Sequence, residues 1–359
     1  MKVDIVIGTR PEAIKMAPVY LRMRTNPLFR VRLISTGQHQ ELLRQSLEVF
    51  QITPEIELQV YEKGQGLEQM NSKILERLGR CFDQDRPDFV LGHGDTTTAF
   101  SAALTAFYKN IPFGHVEAGY RTYNIDSPFP EEFNRQAIAK IASIHYPADQ
   151  QAYENLIQEG IDKANIVVTG QTVQESIGLM GVQDTSVDHL NKQILLTLHR
   201  RDRVSGSMEE VFQVVRRVAE KFDNVKFVAP LHPSPRIQSL ASKYFYDSKN
   251  ISVLPPLSYL QFLKNIKRSF CVLTDSGGVQ EEANYLGRPA LILRDQTERR
   301  VGIATGLVRV VGYDQIQITR GIEEYLERGS AFSRNKLCGE FIAPSKIIVN
   351  SLCLGGRAC

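Results

Sequence analysis

Three acidic residues fall where an α/β chain gathers its chemistry. Asp95 lies in Gly92-His-Gly-Asp-Thr-Thr-Thr98, behind the apolar run Phe89–Leu91; Glu117 ends the run Ile111–Val116; Glu131 follows Pro128-Phe-Pro130 at the start of a helical pattern. Strand-to-helix junctions of a parallel sheet collect on the edge formed by the strands' carboxyl ends. Three carboxylates gathered there suit proton transfer. Asp95 has a plainer reading as a helix N-cap, and Glu131 and Glu132 as partners of a helix dipole. Glu117 at a strand end is rarely needed for packing. The second constellation is Leu273-Thr-Asp-Ser-Gly-Gly-Val-Gln-Glu-Glu282. Its strand, Phe270–Leu273, stops at Asp275, passes through Ser276-Gly277-Gly278 and continues as a helical pattern from Val279. Two glycines allow close approach of a ligand, and the helix start offers free N–H groups, a geometry that suits a phosphate or diphosphate. Glu281 and Glu282 then lie in the first helical turn, where one carboxylate can reach sugar hydroxyls. The plainer reading is a strand–turn–helix corner with a Gly-Gly break.

Cations surround these acids. Gly8-Thr-Arg-Pro-Glu12 opens a helix with proline at its start, placing Arg10 on the loop and Lys15 one turn on, both able to lean over a ligand at the strand's end. Arg135 follows Glu131 by one helical turn. His199 and Arg200 sit behind the run Gln193–Leu198. Pro255-Pro-Leu257 and the stretch Tyr259–Leu263, with Phe262, either flank a planar base or form an amphipathic helix packed on a sheet. The five cysteines form no Cys-x-x-Cys pair and lie at no metal-ligand spacing from a histidine, so reduced thiols, a cytoplasmic setting and no metal are expected. Cys271, inside an apolar strand, reads as core packing.

These residues need a scaffold. At 359 residues, 42% apolar and 23% charged, the chain reads as a soluble protein of two domains. Its net charge of +3 carries no nucleic-acid or membrane footprint. No signal peptide and no membrane span are expected from its hydropathy. Strands are expected at 3–7, 31–36, 58–60, 89–91, 111–116 and 166–168, then at 193–198, 225–229, 251–254, 270–273, 290–293 and 307–311, with helices between. The two halves share a layout without a sequence repeat. The predicted domains are 1–170, carrying the acids, and 171–359, carrying the Ser-Gly-Gly corner, with the hinge near residue 170 or in the polar stretch 182–191.

Six motifs in order, Gly8-Thr-Arg-Pro-Glu12, His93-Gly-Asp-Thr-Thr-Thr98, His115-Val-Glu-Ala-Gly119, Pro128-Phe-Pro-Glu-Glu132, His199-Arg-Arg201 and Asp275–Glu282, make the chain resemble the non-hydrolysing UDP-N-acetylglucosamine 2-epimerases. The resemblance implies two Rossmann-like domains facing across a deep cleft, of glycosyltransferase-B type, with a C-terminal helix crossing back. It implies a homodimer acting on a UDP-sugar, without metal or redox cofactor, in cell-envelope polysaccharide synthesis. By resemblance, Ser276, Gly277, Gly278 and Arg10 hold the diphosphate, Glu282 the ribose, and Leu257 and Phe262 the uracil. Lys15, Asp95, Glu117, Glu131, Arg135 and His199 surround the sugar. The implied reaction is loss of UDP from C-1 with removal of the C-2 proton, giving 2-acetamidoglucal, then re-addition after protonation on the opposite face. Which acid serves which face stays open. Asp202-Arg203, Gly170-Gln-Thr-Val-Gln-Glu175, Arg300 and Gly64-Gln-Gly-Leu67 depart from the family pattern, and the last departs near the site of allosteric activation by a second UDP-sugar. The alternatives are a hydrolysing relative, an epimerase of a modified UDP-sugar, a glycosyltransferase of the same superfamily and an inactive UDP-sugar sensor. Gly8–Glu12 favours the non-hydrolysing branch, and the intact acids count against a sensor.

Overall fold

The structure is a computed structural model that describes residues 1–38, 40–182, 192–198, 208–231, 234–294, 302–303, 306–328 and 343–354. Strands β1 (Lys2–Ile7), β2 (Arg30–Ser35), β3 (Ile56–Glu57), β4 (Phe89–His93), β5 (Phe113–Ala118) and β6 (Ile144–Pro147) alternate with helices α1 (Arg10–Arg24), α2 (Gln40–Glu48), α3 (Leu67–Gln84), α4 (Thr97–Tyr108), α5 (Glu131–Ile141), α6 (Gln150–Gln158) and α7 (Thr172–Leu179). Strands β7 (Gln193–Thr197), β8 (Lys226–Pro230), β9 (Ile251–Leu254), β10 (Cys271–Thr274), β11 (Ala290–Ile292) and β12 (Val308–Val310) follow, with helices α8 (Met208–Lys221), α9 (Pro235–Phe245), α10 (Tyr259–Arg268), α11 (Gly277–Tyr285), α12 (Gln315–Arg328) and α13 (Pro344–Leu354).

The strands form two parallel sheets, ordered β3-β2-β1-β4-β5-β6 and β12-β11-β10-β7-β8-β9. Counted from its own first strand, each sheet has the order 3-2-1-4-5-6. Each therefore reverses its winding once, between β1 and β4 in one and between β7 and β10 in the other, and that crevice is where such sheets take ligands. Sheets covered by helices on both faces need strands that are apolar on both faces. Val3, Ile5, Val6 and Ile7 of β1 and Val272 and Leu273 of β10 are all fully buried. Helix α4 buries Ala99, Ala102, Ala103 and Ala106, small side chains that let it lie close to the sheet. In the second sheet's core, Phe212 of α8 stacks on Phe245 of α9 with centroids 4.8 Å apart, and Cys271 is buried there as expected.

The chain divides into two compact units, Met1–Met180 with Glu340–Cys359, and Gly181–Gly339. Helix α13 returns to the first unit and packs on α1 and α7. Glu175 accepts hydrogen bonds from the Ser345 hydroxyl at 2.6 Å and the Ser345 backbone N–H at 3.0 Å. Arg22 pairs with the same carboxylate at 3.1 Å. No helix among the described residues is long and apolar enough to cross a membrane.

Two strand expectations are corrected. The run 166–168 is not a strand: Ile166 makes a single bridge to His145. The sixth strand is instead β6, whose sequence Ile-His-Tyr-Pro breaks the apolar run that marks a buried strand. Strand β3 lies two residues before the apolar stretch 58–60, because Ile56 and Glu57 pair with β2.

The paired histidines of β5 and β6 give the first unit a pH dependence. His115 is fully buried and donates from Nε2 to the Gly94 carbonyl at 2.7 Å. Burial pushes its pKa down to about 3, and that of His145, its register partner, down to about 4. Both folded values lie below the unfolded one, so between about pH 6.5 and pH 4 the unfolded chain binds protons that the folded chain does not. Stability is then full above that window and falls as pH falls through it, by about 1.4 kcal/mol per pH unit for each histidine. Urea unfolding of His115→Asn is expected to show a slope against pH shallower by about one histidine's share; an unchanged slope would refute the assignment.

Candidate active site

One buried carboxylate organises the crevice of the first sheet. Glu12 is fully buried; its Oε2 accepts the backbone N–H groups of Gly8 at 3.0 Å and Thr9 at 2.7 Å, and its Oε1 accepts the Thr96 hydroxyl at 2.7 Å. It thus ties the corner after β1 to the corner after β4, across the reversal of winding. Burial raises its pKa, against the pull of the Thr96 and Thr9 hydrogen bonds. At Gly8 a Cβ would collide with Oγ1 of Thr36 and of Thr98, which are hydrogen-bonded to each other at 2.8 Å. Only glycine fits the crossing. The four-residue pattern Thr9-Arg-Pro-Glu12 was the available signal for this clamp, though it reads in the sequence only as a helix start.

Asp95 is not a helix cap. The N-cap of α4 is Thr96, whose Oγ1 accepts the Ala99 N–H at 3.0 Å. The Asp95 carboxylate instead faces Arg135, with Oδ2 3.0 Å from Nη2, and its carbonyl accepts from Asn134 Nδ2 at 2.9 Å. Arg135, 5% exposed, also lies 3.5 Å from Glu132. Glu132 is fully buried and accepts the N–H groups of Thr122 at 2.9 Å and Tyr123 at 3.0 Å and the Gln136 amide at 2.8 Å. Burial pushes its pKa up, but the bonds from Gln136 and Thr122 and the charge of Arg135 outweigh it and hold the carboxyl below its ordinary value. Glu132 is therefore a clamp on the loop leading to α5. Its half-buried neighbour Glu131 is the first residue of that helix.

Glu117 is held differently. It lies inside β5, where the pairing with β6 shifts register between Val116 and Ala118, and its φ is +62°. A glutamate in the left-handed region is uncommon and costs about 1 kcal/mol or more. Its carboxylate pairs with Lys15 of α1, which is 6% exposed. The same oxygen that pairs with Lys15, Glu117 Oε2, lies 3.4 Å from His93 Nε2, outside hydrogen-bond geometry. Arg10, half-buried, begins α1 at the same corner as Glu12. The structure therefore places Arg10, Lys15, Asp95, Glu117, Glu131 and Arg135 on segments at or beside the carboxyl edge of β1, β4 and β5.

The second unit presents the other constellation at its own reversal. Thr274 Oγ1, at the end of β10, accepts the Thr197 hydroxyl of β7 at 2.6 Å and the Ser276 N–H at 3.0 Å. The buried Asp275 gives its carbonyl to Arg294 Nε at 2.6 Å. Helix α11 begins at Gly277 with Ser276 as N-cap, two residues before the expected Val279. Neither glycine has positive φ, and both join the first turn. A Cβ on Gly278 would meet only Ser276 Oγ, at 3.8 Å. The shift moves Glu281 and Glu282 out of the first turn. Glu282, 9% exposed, accepts the Tyr259 hydroxyl at 2.7 Å. Phe262 is buried on α10, and Leu257 lies half-buried ahead of that helix. His199 lies outside the described residues. Among the described residues no group of three His, Cys, Asp or Glu side chains is placed to hold a metal ion.

Residues 21–344 match the family described as UDP-N-acetylglucosamine 2-epimerase. A UDP-N-acetylglucosamine 2-epimerase of Bacillus subtilis (strain 168) is 42% identical over 323 residues, covering 89% of this chain and 85% of the relative. The crystal structure of a Neisseria meningitidis UDP-GlcNAc 2-epimerase bound to UDP-GlcNAc superposes with a TM-score of 0.89 at 34% identity, over 99% of this chain and 100% of the other. The Staphylococcus aureus MnaA–UDP co-structure gives a TM-score of 0.90 at 34% identity, over 98% and 96% of the two chains.

Because Arg135 stands between Asp95 and the fully buried Glu132, its loss leaves a buried carboxylate short of its cation. Arg135→Met is expected to destabilise the first unit by about 3 kcal/mol in urea unfolding. A loss within error would show that the N–H donors of Thr122 and Tyr123 suffice.

Proposed function

The chain belongs to the UDP-N-acetylglucosamine 2-epimerase family, and from that premise we propose that it interconverts UDP-N-acetylglucosamine and UDP-N-acetylmannosamine, eliminating and re-adding UDP without releasing the free sugar. The observation that carries this reading is the pairing of acids with cations on one sheet edge: Asp95 with Arg135 and Glu117 with Lys15.

The proton on C-2 of the sugar is not acidic, since no carbonyl adjoins that carbon. It becomes acidic as the bond from C-1 to UDP breaks and C-1 turns cation-like. A carboxylate then takes the proton, the C–H pair becomes the C-1–C-2 double bond, and UDP leaves with the C–O pair. Inversion requires the proton to return on the opposite face, so at least two proton-transfer groups are needed. Asp95, Glu117 and Glu131 are assigned to this work, and His199 is assigned a catalytic role with them. Carboxylates near C-1 also favour its developing positive charge. Ser276, Gly277 and Gly278 offer the N–H groups of α11 to the diphosphate, helped by Arg10, and stabilise it as it departs. Glu282 holds the ribose hydroxyls in this reading, and Leu257 and Phe262 border the uracil. A homodimeric assembly and a cytoplasmic setting complete the proposal.

Incubation with UDP-N-acetylglucosamine in heavy water tests it. Deuterium at C-2 with UDP-N-acetylmannosamine appearing is the expected result by NMR. Free N-acetylmannosamine plus UDP would mean hydrolysis instead. An unchanged sugar would refute the reading. Asp95→Asn is expected to retain UDP binding and lose roughly a hundred-fold or more of kcat; near-normal turnover would remove Asp95 from the chemistry.

A further inference from the structure

His93 has no place in the scheme above, yet its position is specific. It ends β4, is 3% exposed, and its Nε2 is buried without a hydrogen-bond partner. Buried imidazole nitrogens are normally satisfied. The atom lies 3.4 Å from Glu117 Oε2. Register explains how the two meet. His93 pairs with Val116, so those side chains share a face, and residue 117 of a regular strand would point to the other face. The bulge and the φ of +62° at Glu117 break that alternation. The backbone is distorted at the one residue whose carboxylate then lies beside the unpartnered nitrogen.

We propose that His93 is the positioning partner of Glu117, its Nε2 accepting the O–H that forms when Glu117 takes up a proton. This rests on the reading of Glu117 as a proton-transfer group. Glu117 pairs through Oε2 with the Lys15 ammonium, which is a donor only and cannot accept a new O–H. The tautomer of His93 with hydrogen on Nδ1 presents a lone pair at Nε2. The C-1–O bond breaks and its electron pair leaves on UDP, the C-2–H bond breaks and its pair becomes the C-1–C-2 double bond, and the proton forms an O–H bond on Glu117 that shortens the 3.4 Å gap into an O–H···N bond. No further proton or electron is required. The same bond holds the carboxylic acid in one orientation until the proton is returned or exchanged. Among the described residues, Glu117 and His115 of β5 and Glu12 of α1 interact electrostatically with His93, and Lys15 of α1 pairs with the same Glu117 oxygen.

The experiment compares His93→Phe and His93→Gln with the unmodified enzyme. Glutamine keeps an acceptor near the place of Nε2, whereas phenylalanine fills the space without one. His93→Phe is expected to lower kcat by about a hundred-fold, with the Kd for UDP within about two-fold of the parent. His93→Gln is expected to recover most of that loss. In a Glu117→Gln background the phenylalanine substitution should cost little more, because the two residues act as one. Equal losses in the Phe and Gln variants, or full turnover in the Phe variant, would overturn the proposal. If His93→Phe fails to fold, His93→Asn replaces it, since its shorter amide leaves the place of Nε2 empty: turnover equal to that of His93→Gln overturns the proposal. Failure of the unmodified enzyme to epimerise would sink the functional reading itself, which separates the two.

Discussion

The carboxylate of Glu12 is the constraint from which the first unit's site is built. Two loops leave adjacent strands at the point where the sheet reverses, and helices from β1 and β4 diverge there, so nothing in the ladder holds the corners together. Three donors converge on one buried acid and do so. Such a group is costly to bury and is worth its cost only when every bond is made. The result is that Arg10 and Lys15 on one side, and Asp95 on the other, are fixed relative to each other by a side chain that is itself shut away from solvent. The second unit solves the same problem with two threonines: Thr197 and Thr274 bond across the reversal, and Thr274 also fixes the backbone of Ser276. One unit uses a charge, the other hydroxyls. The difference fits what each edge carries: the first gathers charged side chains, the second backbone N–H groups.

The acids in the first unit are arranged in cation-matched pairs rather than as a cluster. Asp95 faces Arg135 and Glu117 faces Lys15. Like charges gathered without cations would push their protonation upward and leave no base ready. The matching cations come from helices: Lys15 from α1 and Arg135 from α5. Arg135 does more than neutralise, because its guanidinium spans Asp95 and Glu132, and Glu132 in turn holds the Thr122–Tyr123 backbone. A displacement of that loop is thereby felt at Asp95 through two consecutive ion pairs.

How far the sequence discloses this can be judged residue by residue. The two parallel sheets were legible because buried parallel strands are continuous apolar runs, and the corners because Gly, Pro and acids punctuate them. Strand β6 was not, since Ile-His-Tyr-Pro carries neither alternation nor an apolar run; it exists because His115 and its neighbours on β5 offer an unpaired ladder. The start of α11 was misplaced because glycine signals a turn, while here both glycines are helical. Asp95 at a strand-to-helix junction has the spacing of a cap, and only the neighbouring Thr96 taking that role frees it. Glu132 and Glu131 are indistinguishable by type; burial separates them. His93 opens one of the six motifs, but its approach to Glu117 was not legible, because it depends on a backbone irregularity in a different strand.

That irregularity shows what a side chain inside a strand can and cannot do. Alternation fixes which face each residue serves, and a catalytic carboxylate on the wrong face would be buried under a helix. Moving the acid to the loop, as with Asp95, costs nothing locally but needs Arg135 and Asn134 to hold it. Keeping Glu117 in β5 retains the rigidity of the sheet and requires a positive φ in its place, a cost of about 1 kcal/mol or more. The Lys15 pair and the flanking strands β4 and β6 over-determine that conformation, which is the condition under which such strain persists. The bulge is thus better understood as the means by which one sheet presents an acid and an imidazole together than as a defect in pairing.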